Sequence, residues 1–176
     1  GEEANDIWAY TFHSCCSRIL RRFGEKIGYT NHFTIYDTDD SRRVMKQCQK
    51  QLGIEDKLIN HKSILAEISR AKDSLISPEE YKQTAQNDFR KSKIAECYEL
   101  YQAQLKKSDA MDFDDIIFNT VKLLEENEDV RNLYQTQFKY VMVDEYQDTN
   151  HAQYVLTSLL ADKYKNICVV GDDDQS

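Results

Sequence analysis

Two short apolar runs near the C-terminal end of the sequence constrain the fold more than any other feature. They are YVMV at 140–143 and ICVV at 167–170, and acidic residues follow each run. Uninterrupted apolar runs of this length are typical of strands buried on both faces of a parallel sheet. Residues 150–164, which lie between the runs, have the apolar spacing of a helix. The segment therefore predicts a strand–helix–strand unit of an α/β fold.

A long stretch without a notable strand signal precedes this unit, although NHFTIYDTDD at 31–40 is expected to be extended. Its apolar side chains recur at helical spacing. Asp39 or Asp40 is expected to cap the first helix of the stretch. The pattern predicts three helices, at about 40–52, 60–75 and 78–107.

The chain is therefore predicted to be a predominantly helical α/β protein in two parts. Residues 1–24 and 108–176 form a partial parallel-sheet domain, and residues 25–107 form an all-helical insertion. The segment DFDD at 112–115 begins the next helix after the insertion. Its three aspartates are expected to cap that helix, because carboxylates stabilise helix N-termini.

Composition narrows the class of protein and of partner. With 40% hydrophobic and 31% charged residues, the chain has the composition of a globular protein. No apolar run approaches the roughly 20 residues of a membrane span. Five cysteines without any CxxC spacing do not suggest a disulfide framework or a structural zinc site, and they fit a reducing cytoplasm. The net charge of −8 excludes a chain that is basic throughout, but basic residues cluster locally at 17–26 and 41–46.

Carboxylates at the two predicted strand ends indicate a nucleotide site. Asp144 and Glu145 follow the first strand, and residues 172–175, DDDQ, follow the second. Ligands of doubly wound sheets bind beyond the carboxyl ends of the strands. There an aspartate can hold Mg²⁺, and a glutamate can orient or deprotonate the water that attacks a phosphoryl group. For the Asp-Glu dipeptide alone, a polar turn after a strand is the alternative.

Longer motifs resemble those of UvrD/Rep/PcrA-type superfamily 1 DNA helicases. The segment VDEYQDTN at 143–150 resembles their Walker B segment, motif II, and VVGDDDQS at 169–176 resembles their motif III. TFHS with the following CCSRILRR, at 11–22, is similar to their motif Ib. DFDD is similar to the segment where their chain re-enters the first motor subdomain. The motifs stand in the family's order, and the resemblance covers essentially the whole chain.

The resemblance implies a fold and an activity for the protein. Residues 1–24 and 108–176 would be part of a RecA-like P-loop NTPase subdomain, 1A, and residues 25–107 would be the inserted subdomain 1B. The activity implied is ATP-dependent translocation on single-stranded DNA in the 3′→5′ direction, with unwinding of duplex DNA in repair or plasmid replication. ATP, Mg²⁺ and both forms of DNA would be the ligands of a cytoplasmic protein. The piece itself would be a monomer.

The resemblance also implies roles for the residues of the nucleotide site. Asp144 would be the magnesium ligand in the ATP site, and Glu145 would be the catalytic base. Gln175 would contact the γ-phosphate and couple it to DNA.

The N-terminal motif implies contacts with DNA. Thr11, Phe12 and His13 would lie beside the single-stranded DNA track, and Arg18, Arg21 and Arg22 are further candidate contacts. A local hydrogen bond at a helix N-terminus is the alternative for His13. For the three arginines the alternative is a solvated helix face.

One required motif is not found in these residues. None of the five glycines is followed by lysine, so the sequence contains no GxxxxGK[ST] loop to cradle a triphosphate. The chain is therefore expected to be a fragment of an ATP-dependent helicase and to hydrolyse no ATP by itself. Two alternatives stay open. The helical block is a binding module for duplex DNA or for a protein, or the parent is a helicase–nuclease of the AddA type.

Overall fold

The computed structural model describes residues 12–137, 141–143, 150–161 and 167–169. The chain clusters into two compact units, Gly1–Asn31 with Ile116–Ser176, and His32–Asp115. No helix in the described part of the chain has the length and apolarity needed to cross a bilayer.

Short helices dominate the described residues. In chain order the elements are α1 (Phe12–Phe23), a 3₁₀ helix (Gly24–Ile27), β1 (Thr34–Ile35), α2 (Thr38–Leu52), α3 (His61–Asp73), α4 (Pro78–Thr84), α5 (Phe89–Lys107), β2 (Ala110–Met111), α6 (Phe113–Glu126), α7 (Glu128–Gln137), β3 (Val141–Val143), α8 (His151–Ala161) and β4 (Ile167–Val169).

The strand–helix–strand prediction for the C-terminal segment is confirmed. Strands β3 and β4 pair in parallel, with Val141 opposite Ile167 and Val143 opposite Val169, and α8 connects them. A parallel connection needs a crossover, and α8 provides it. The structure is thus compatible with a partial α/β domain, and the RecA-like classification stays a prediction.

The first unit is held together by an apolar core and by polar contacts near it. The rings of Phe23 and Tyr134 meet edge to face, with centroids 6.0 Å apart. The Gln135 side-chain amide donates a hydrogen bond of 2.6 Å to the Leu159 carbonyl, which joins α7 to α8. The buried apolar residues of the unit include Cys16, Ile19, Leu20, Ile116, Ile117, Val121, Leu124, Val130, Leu156 and Leu160.

The second unit is a helical bundle built around two neighbouring tyrosines. The rings of Tyr81 and Tyr98 lie 6.1 Å apart in an edge-to-face arrangement, and the Tyr98 hydroxyl donates to the Ile76 carbonyl at 2.8 Å. The other buried residues of this core include Met45, Cys48, Ile64, Ile68, Ile94, Cys97, Tyr101 and Leu105.

A short parallel strand pair closes this unit. β1 lies in the segment 31–40, which was expected to be extended, but the block at 25–107 was predicted to be all-helical and no pairing was expected. Thr34 of β1 lies opposite Ala110 of β2, and Ile35 lies opposite Met111. Each strand has only two residues, so neither shows the alternation by which a sequence reveals a strand. The pair brings together the two ends of the segment between them.

The predicted single helix at 78–107 is wrong. The structure has α4 and α5 in its place, separated by residues 85–88. Asp88 begins the second helix, because its side chain accepts a hydrogen bond of 3.0 Å from the backbone N–H of Lys91. An aspartate that caps a new helix leaves the apolar spacing on both sides unchanged, so periodicity alone did not show the break.

The predicted cap of α2 is also wrong. The helix begins earlier, at Thr38, and Asp37 is its cap. The Asp37 side chain accepts from the Asp40 backbone N–H at 2.8 Å, and the Asp40 side chain accepts from the Asp37 N–H at 3.2 Å. Asp40 therefore takes part as the third residue of a capping box and not as the cap, and Asp39 lies in the first turn.

A buried lysine joins the later elements of the second unit. Lys72 of α3 is 1% exposed, and its Nζ lies 2.7 Å from Asp112 Oδ2 and 2.9 Å from Asp115 Oδ1. Tyr101 donates a hydrogen bond to Asp112 at 2.9 Å, and Gln102 donates one to Asp115 at 3.2 Å. The two aspartates also accept from each other's backbone N–H groups, so Asp112 caps α6 as predicted, and Asp115 is the third residue of a capping box, as Asp40 is in α2.

The charges in this cluster set one another's protonation. Burial would lower the pKa of Lys72, but the two carboxylates outweigh it and raise that pKa. Burial would raise the pKa of Asp112, but the Lys72 ammonium holds it below its usual range. Burial and the neighbouring charge of Asp112 raise the pKa of Asp115 to about 6. One ammonium therefore balances the charge of two carboxylates, and it stabilises the ionised form of Asp112 more than that of Asp115.

We expect Lys72→Met to destabilise the protein by about 3–5 kcal/mol, because it leaves two buried carboxylates without their counter-ion. Urea unfolding measures the change. Lys82→Met is the matched control. Its Nζ lies 4.0 Å from Glu99 at the surface, so its loss is expected to cost less than about 1 kcal/mol. Equal effects of the two variants would contradict the structural role of Lys72.

The defect of Lys72→Met is also expected to depend on pH. Without the ammonium, both folded-state carboxyl pKa values rise above the unfolded value of about 3.9, so the folded protein binds more protons than the unfolded chain. Stability is then lost as pH rises through that window. Urea unfolding at about pH 4.5, 6 and 7.5 should show the smallest defect in acid and the largest at neutral pH. A defect of constant size would argue against this account.

Candidate nucleic-acid interface

The strands expected to carry the nucleotide site end side by side. Val143 of β3 and Val169 of β4 are register partners, so the carboxyl ends of both strands lie at one edge of their sheet. Asp144, Glu145 and Gln175 follow these strands in the sequence and lie outside the described residues. Within those residues, no group of three or more His, Cys, Asp or Glu side chains is placed to hold a metal ion. The predicted roles of these three residues stay predictions.

The predicted DNA contacts at the N-terminal motif fall partly on α1. Thr11 lies outside the described residues, and Phe12 begins the helix. His13 is half-buried, and burial lowers its pKa, which favours the neutral imidazole. Arg18 is exposed and lies five residues further on, which places it about 140° around the helix from His13. The helix therefore does not present His13 and Arg18 as one surface.

The other two arginines of α1 have contacts within the first unit. Arg21 donates a hydrogen bond of 3.2 Å to the Asn31 carbonyl. The Arg22 guanidinium lies 4.9 Å from the centre of the Phe23 ring, within the range of a cation–π contact. These contacts show that part of the basic cluster at 17–26 supports the fold.

The second unit has an open basic groove of about 490 Å³ between α2 and the beginning of α3. Four cationic side chains, one carboxylate and one imidazole line it. They are Arg42, Arg43, Lys46, Asp39, Lys62 and His61.

The groove keeps a positive charge. Asp40 forms an ion pair with Arg43, at 3.2 Å. Within the part of the chain that the structure describes, no carboxylate forms an ion pair with Arg42, Lys46 or Lys62. The N-terminal end of α3 lies in the same groove and adds the positive end of a helix dipole. A groove with these charges is suited to phosphate groups.

His61 lies in this groove with a fixed orientation. The residue is 8% exposed, and the ring atom Nδ1 lies 2.8 Å from Asp56 Oδ1. The same oxygen accepts the His61 backbone N–H at 2.8 Å, while Asn60 caps α3 by accepting from the Lys62 N–H at 2.8 Å. The hydrogen bonds from His61 lower the pKa of Asp56, so Asp56 is a carboxylate at neutral pH.

Sequence reasoning found only part of this groove. The basic run at 41–46 was visible, and its Arg42 and Lys46 are four residues apart, on one helix face. His61 and Lys62 were not singled out, because neither stands in a charge run or a recognisable motif. Only the packing of α3 beside α2 brings them to the groove.

A second groove in this unit, of about 470 Å³, has the opposite character. Its lining includes the exposed side chains of Ile35 and Phe113 and the carboxylates of Asp112 and Asp114. Burial and the charge of Asp112 raise the pKa of Asp114 to about 6, so it is ionised at neutral pH. Carboxylates repel phosphate, so this groove is not a candidate site for nucleic acid.

The family model and the individual relatives that this chain matches point to the same protein family. Residues 1–176 match the family model of the UvrD/REP helicase N-terminal domain. The chain is 47% identical over 176 residues to an ATP-dependent DNA helicase PcrA of Staphylococcus epidermidis, covering 100% of this chain and 24% of that protein. It is 47% identical over 173 residues to PcrA of Leuconostoc citreum, covering 98% and 23%. It is 45% identical over 176 residues to PcrA of Staphylococcus aureus, covering 100% and 24%. The chain thus spans about a quarter of the length of these curated relatives.

Proposed function

Because this chain belongs to the UvrD/REP helicase N-terminal domain family, we propose that it is part of the motor of an ATP-dependent DNA helicase. The relatives that it matches across its length carry that name. The motor would move along single-stranded DNA in the 3′→5′ direction, as the resemblance of its motifs implies. Its subdomains would be the RecA-like 1A and the inserted 1B.

The in-register end of β3 and β4 is the observation that supports a nucleotide site most directly. Two parallel strands that end together bring the segments after them to one sheet edge, where α/β proteins bind ligands. At that edge Asp144 would bind Mg²⁺, Glu145 would activate the attacking water, and Gln175 would contact the γ-phosphate of ATP. Mg²⁺ would supply charge neutralisation on the phosphate oxygens.

A chimeric helicase tests these roles. We expect the PcrA of Staphylococcus epidermidis to keep DNA-stimulated ATP hydrolysis when these 176 residues replace the segment that they match. Glu145→Gln in the chimera should then lower the rate by about 10²-fold or more, because the general base is lost. Glu126→Gln, an exposed glutamate on α6, is the matched control. An active chimera in which both variants keep full activity would overturn the role of Glu145.

The 176 residues alone are expected to hydrolyse no ATP. They contain no GxxxxGK[ST] segment, and a base without a positioned triphosphate has nothing to act on. Phosphate release from the purified chain with Mg²⁺ and ATP should equal that of the buffer. Release that disappears in Glu145→Gln would contradict this.

A second function, nucleic-acid binding by the helical unit, is favoured by the basic groove between α2 and α3. Its cations come from two helices, and Arg42, Lys46 and Lys62 have no carboxylate partner among the described residues. Side chains of this kind bind phosphate and release counter-ions, so the affinity of such a groove falls with salt.

Reversing two charges in the groove is expected to weaken DNA binding. Arg42→Glu with Lys46→Glu should lower the affinity for labelled duplex or single strand at least tenfold in about 50 mM salt. It should reduce the slope of log affinity against log salt by about 2. Fluorescence anisotropy measures both.

Lys50→Glu with Lys107→Glu is the matched control, because it makes the same change in net charge at exposed positions outside the groove. Equal loss in the two double variants would show a general charge effect and would contradict a site at the groove. Absence of DNA binding by the unaltered chain would leave the helical unit as a scaffold or a protein-docking module.

A further inference from the structure

We propose that His61 gives the basic groove a proton-linked contact to phosphate, so that the protein binds DNA more tightly as the pH falls. The inference rests on the proposed binding of nucleic acid by this groove and adds a form of regulation to it. Asp56 and His61 form a hydrogen-bonded pair, and His61 lies in the groove with the cations.

The environment of His61 contains charges of both signs. Asp56, from the loop before α3, is the anion in direct contact with the ring, at 2.8 Å. Cations from α2 and α3 line the same groove, together with one carboxylate. They are Arg42, Arg43, Lys46, Lys62 and Asp39. An anion that binds beside an imidazole favours its protonated form, because opposite charges attract.

Because Nδ1 contacts Asp56, the protonation of the ring decides whether the other ring nitrogen, Nε2, is a hydrogen-bond donor or an acceptor. When the imidazole is neutral and Nδ1–H donates to Asp56, Nε2 carries a lone pair, which repels a phosphate oxygen. When the ring is protonated, Nε2–H becomes a donor and forms a charge-assisted hydrogen bond with that oxygen. Within the described residues, His61 makes no side-chain hydrogen bond apart from the one through Nδ1. Nε2 is also not among the fully buried side-chain atoms that lack a partner, so a ligand can reach it.

Helix capping does not account for this arrangement. Asn60 already caps α3, and the backbone N–H of His61 is satisfied by Asp56 without the ring. The ring is therefore not needed to begin the helix, yet it is almost buried and lies in the lining of the basic groove.

The sign of the effect follows from linkage. Phosphate binds the protonated ring better than the neutral ring, so binding takes up a proton and the affinity rises as pH falls. One histidine contributes at most about one proton, which is a tenfold change in affinity per pH unit at the steepest point. The chemistry recognised is a phosphate group, supplied either by a nucleic-acid backbone or by free phosphate.

The test measures DNA affinity at constant ionic strength at about pH 6, 7 and 8. We expect the unaltered chain to bind a labelled duplex up to about tenfold more tightly at pH 6 than at pH 8. His61→Asn should lose this difference and keep the affinity seen at pH 8, because an asparagine amide can still donate to Asp56 but has no second nitrogen to protonate. His151→Asn, at an exposed position on α8, is the matched control and should keep the pH dependence.

A second measurement keeps the inference testable if His61→Asn folds poorly. The NMR titration of the His61 ring in the unaltered chain should move its midpoint to higher pH when duplex DNA is added. Adding inorganic phosphate in a parallel titration distinguishes the sources. A shift with DNA supports the inference, whether or not phosphate also gives one. A shift with phosphate alone would keep the proton-linked phosphate contact but overturn nucleic acid as its source, and no shift with either would overturn the contact itself.

The measurements distinguish failure of the proton linkage from failure of the proposed DNA site. DNA binding with the same pH dependence in the unaltered chain and in His61→Asn would overturn the proton linkage and leave the groove as a DNA site. Absence of DNA binding at all three pH values would overturn the proposed DNA site and the linkage with it.

Discussion

The interaction on which the helical unit depends is the buried ammonium of Lys72 between Asp112 and Asp115. It connects α3 and α5 with the segment that begins α6, and those elements are far apart in the sequence. Such a cluster is stable only when each charged group has its ion-pair and hydrogen-bond partners. In the interior, no water is present to take the place of a missing partner. The hydroxyl of Tyr101, the amide of Gln102 and the backbone N–H groups of the cap supply those partners. The later end of the unit is therefore fixed by charge as well as by apolar packing.

The basic groove lies between two helices whose first residues are fixed by caps. The capping box of Asp37 and Asp40 fixes where α2 begins, and Arg42 and Lys46, four residues apart, stand on one face of that helix. Asn60 and the carboxylate of Asp56 fix the beginning of α3, and His61 and Lys62 lie in its first turn. The packing of α3 beside α2 then brings these side chains to one groove.

Elements with a clear local pattern in the sequence were predicted correctly, and those that depend on a single capping residue or on distant contacts were missed. The unit β3–α8–β4 was predicted correctly, because apolar runs and helical spacing are local patterns. The break between α4 and α5 was missed, because one aspartate begins the new helix without disturbing the apolar spacing. The pair of β1 and β2 was missed, because two residues on each side carry no period. Asp112 and Asp115 were expected as caps, but nothing in the sequence around Lys72 indicated that it is their counter-ion.

By itself the sequence determined the family, the presence of a parallel α/β segment, and the acidic motifs that resemble a magnesium and ATP site. These depend on which residues stand next to one another along the chain. Tertiary structure alone decided the partner of Lys72, the joining of β1 to β2, and the meeting of Asp56, His61 and the cations of α2 in one groove. Each of these contacts depends on how helices pack, and packing is set by the sum of many small apolar contacts that no short stretch of sequence contains.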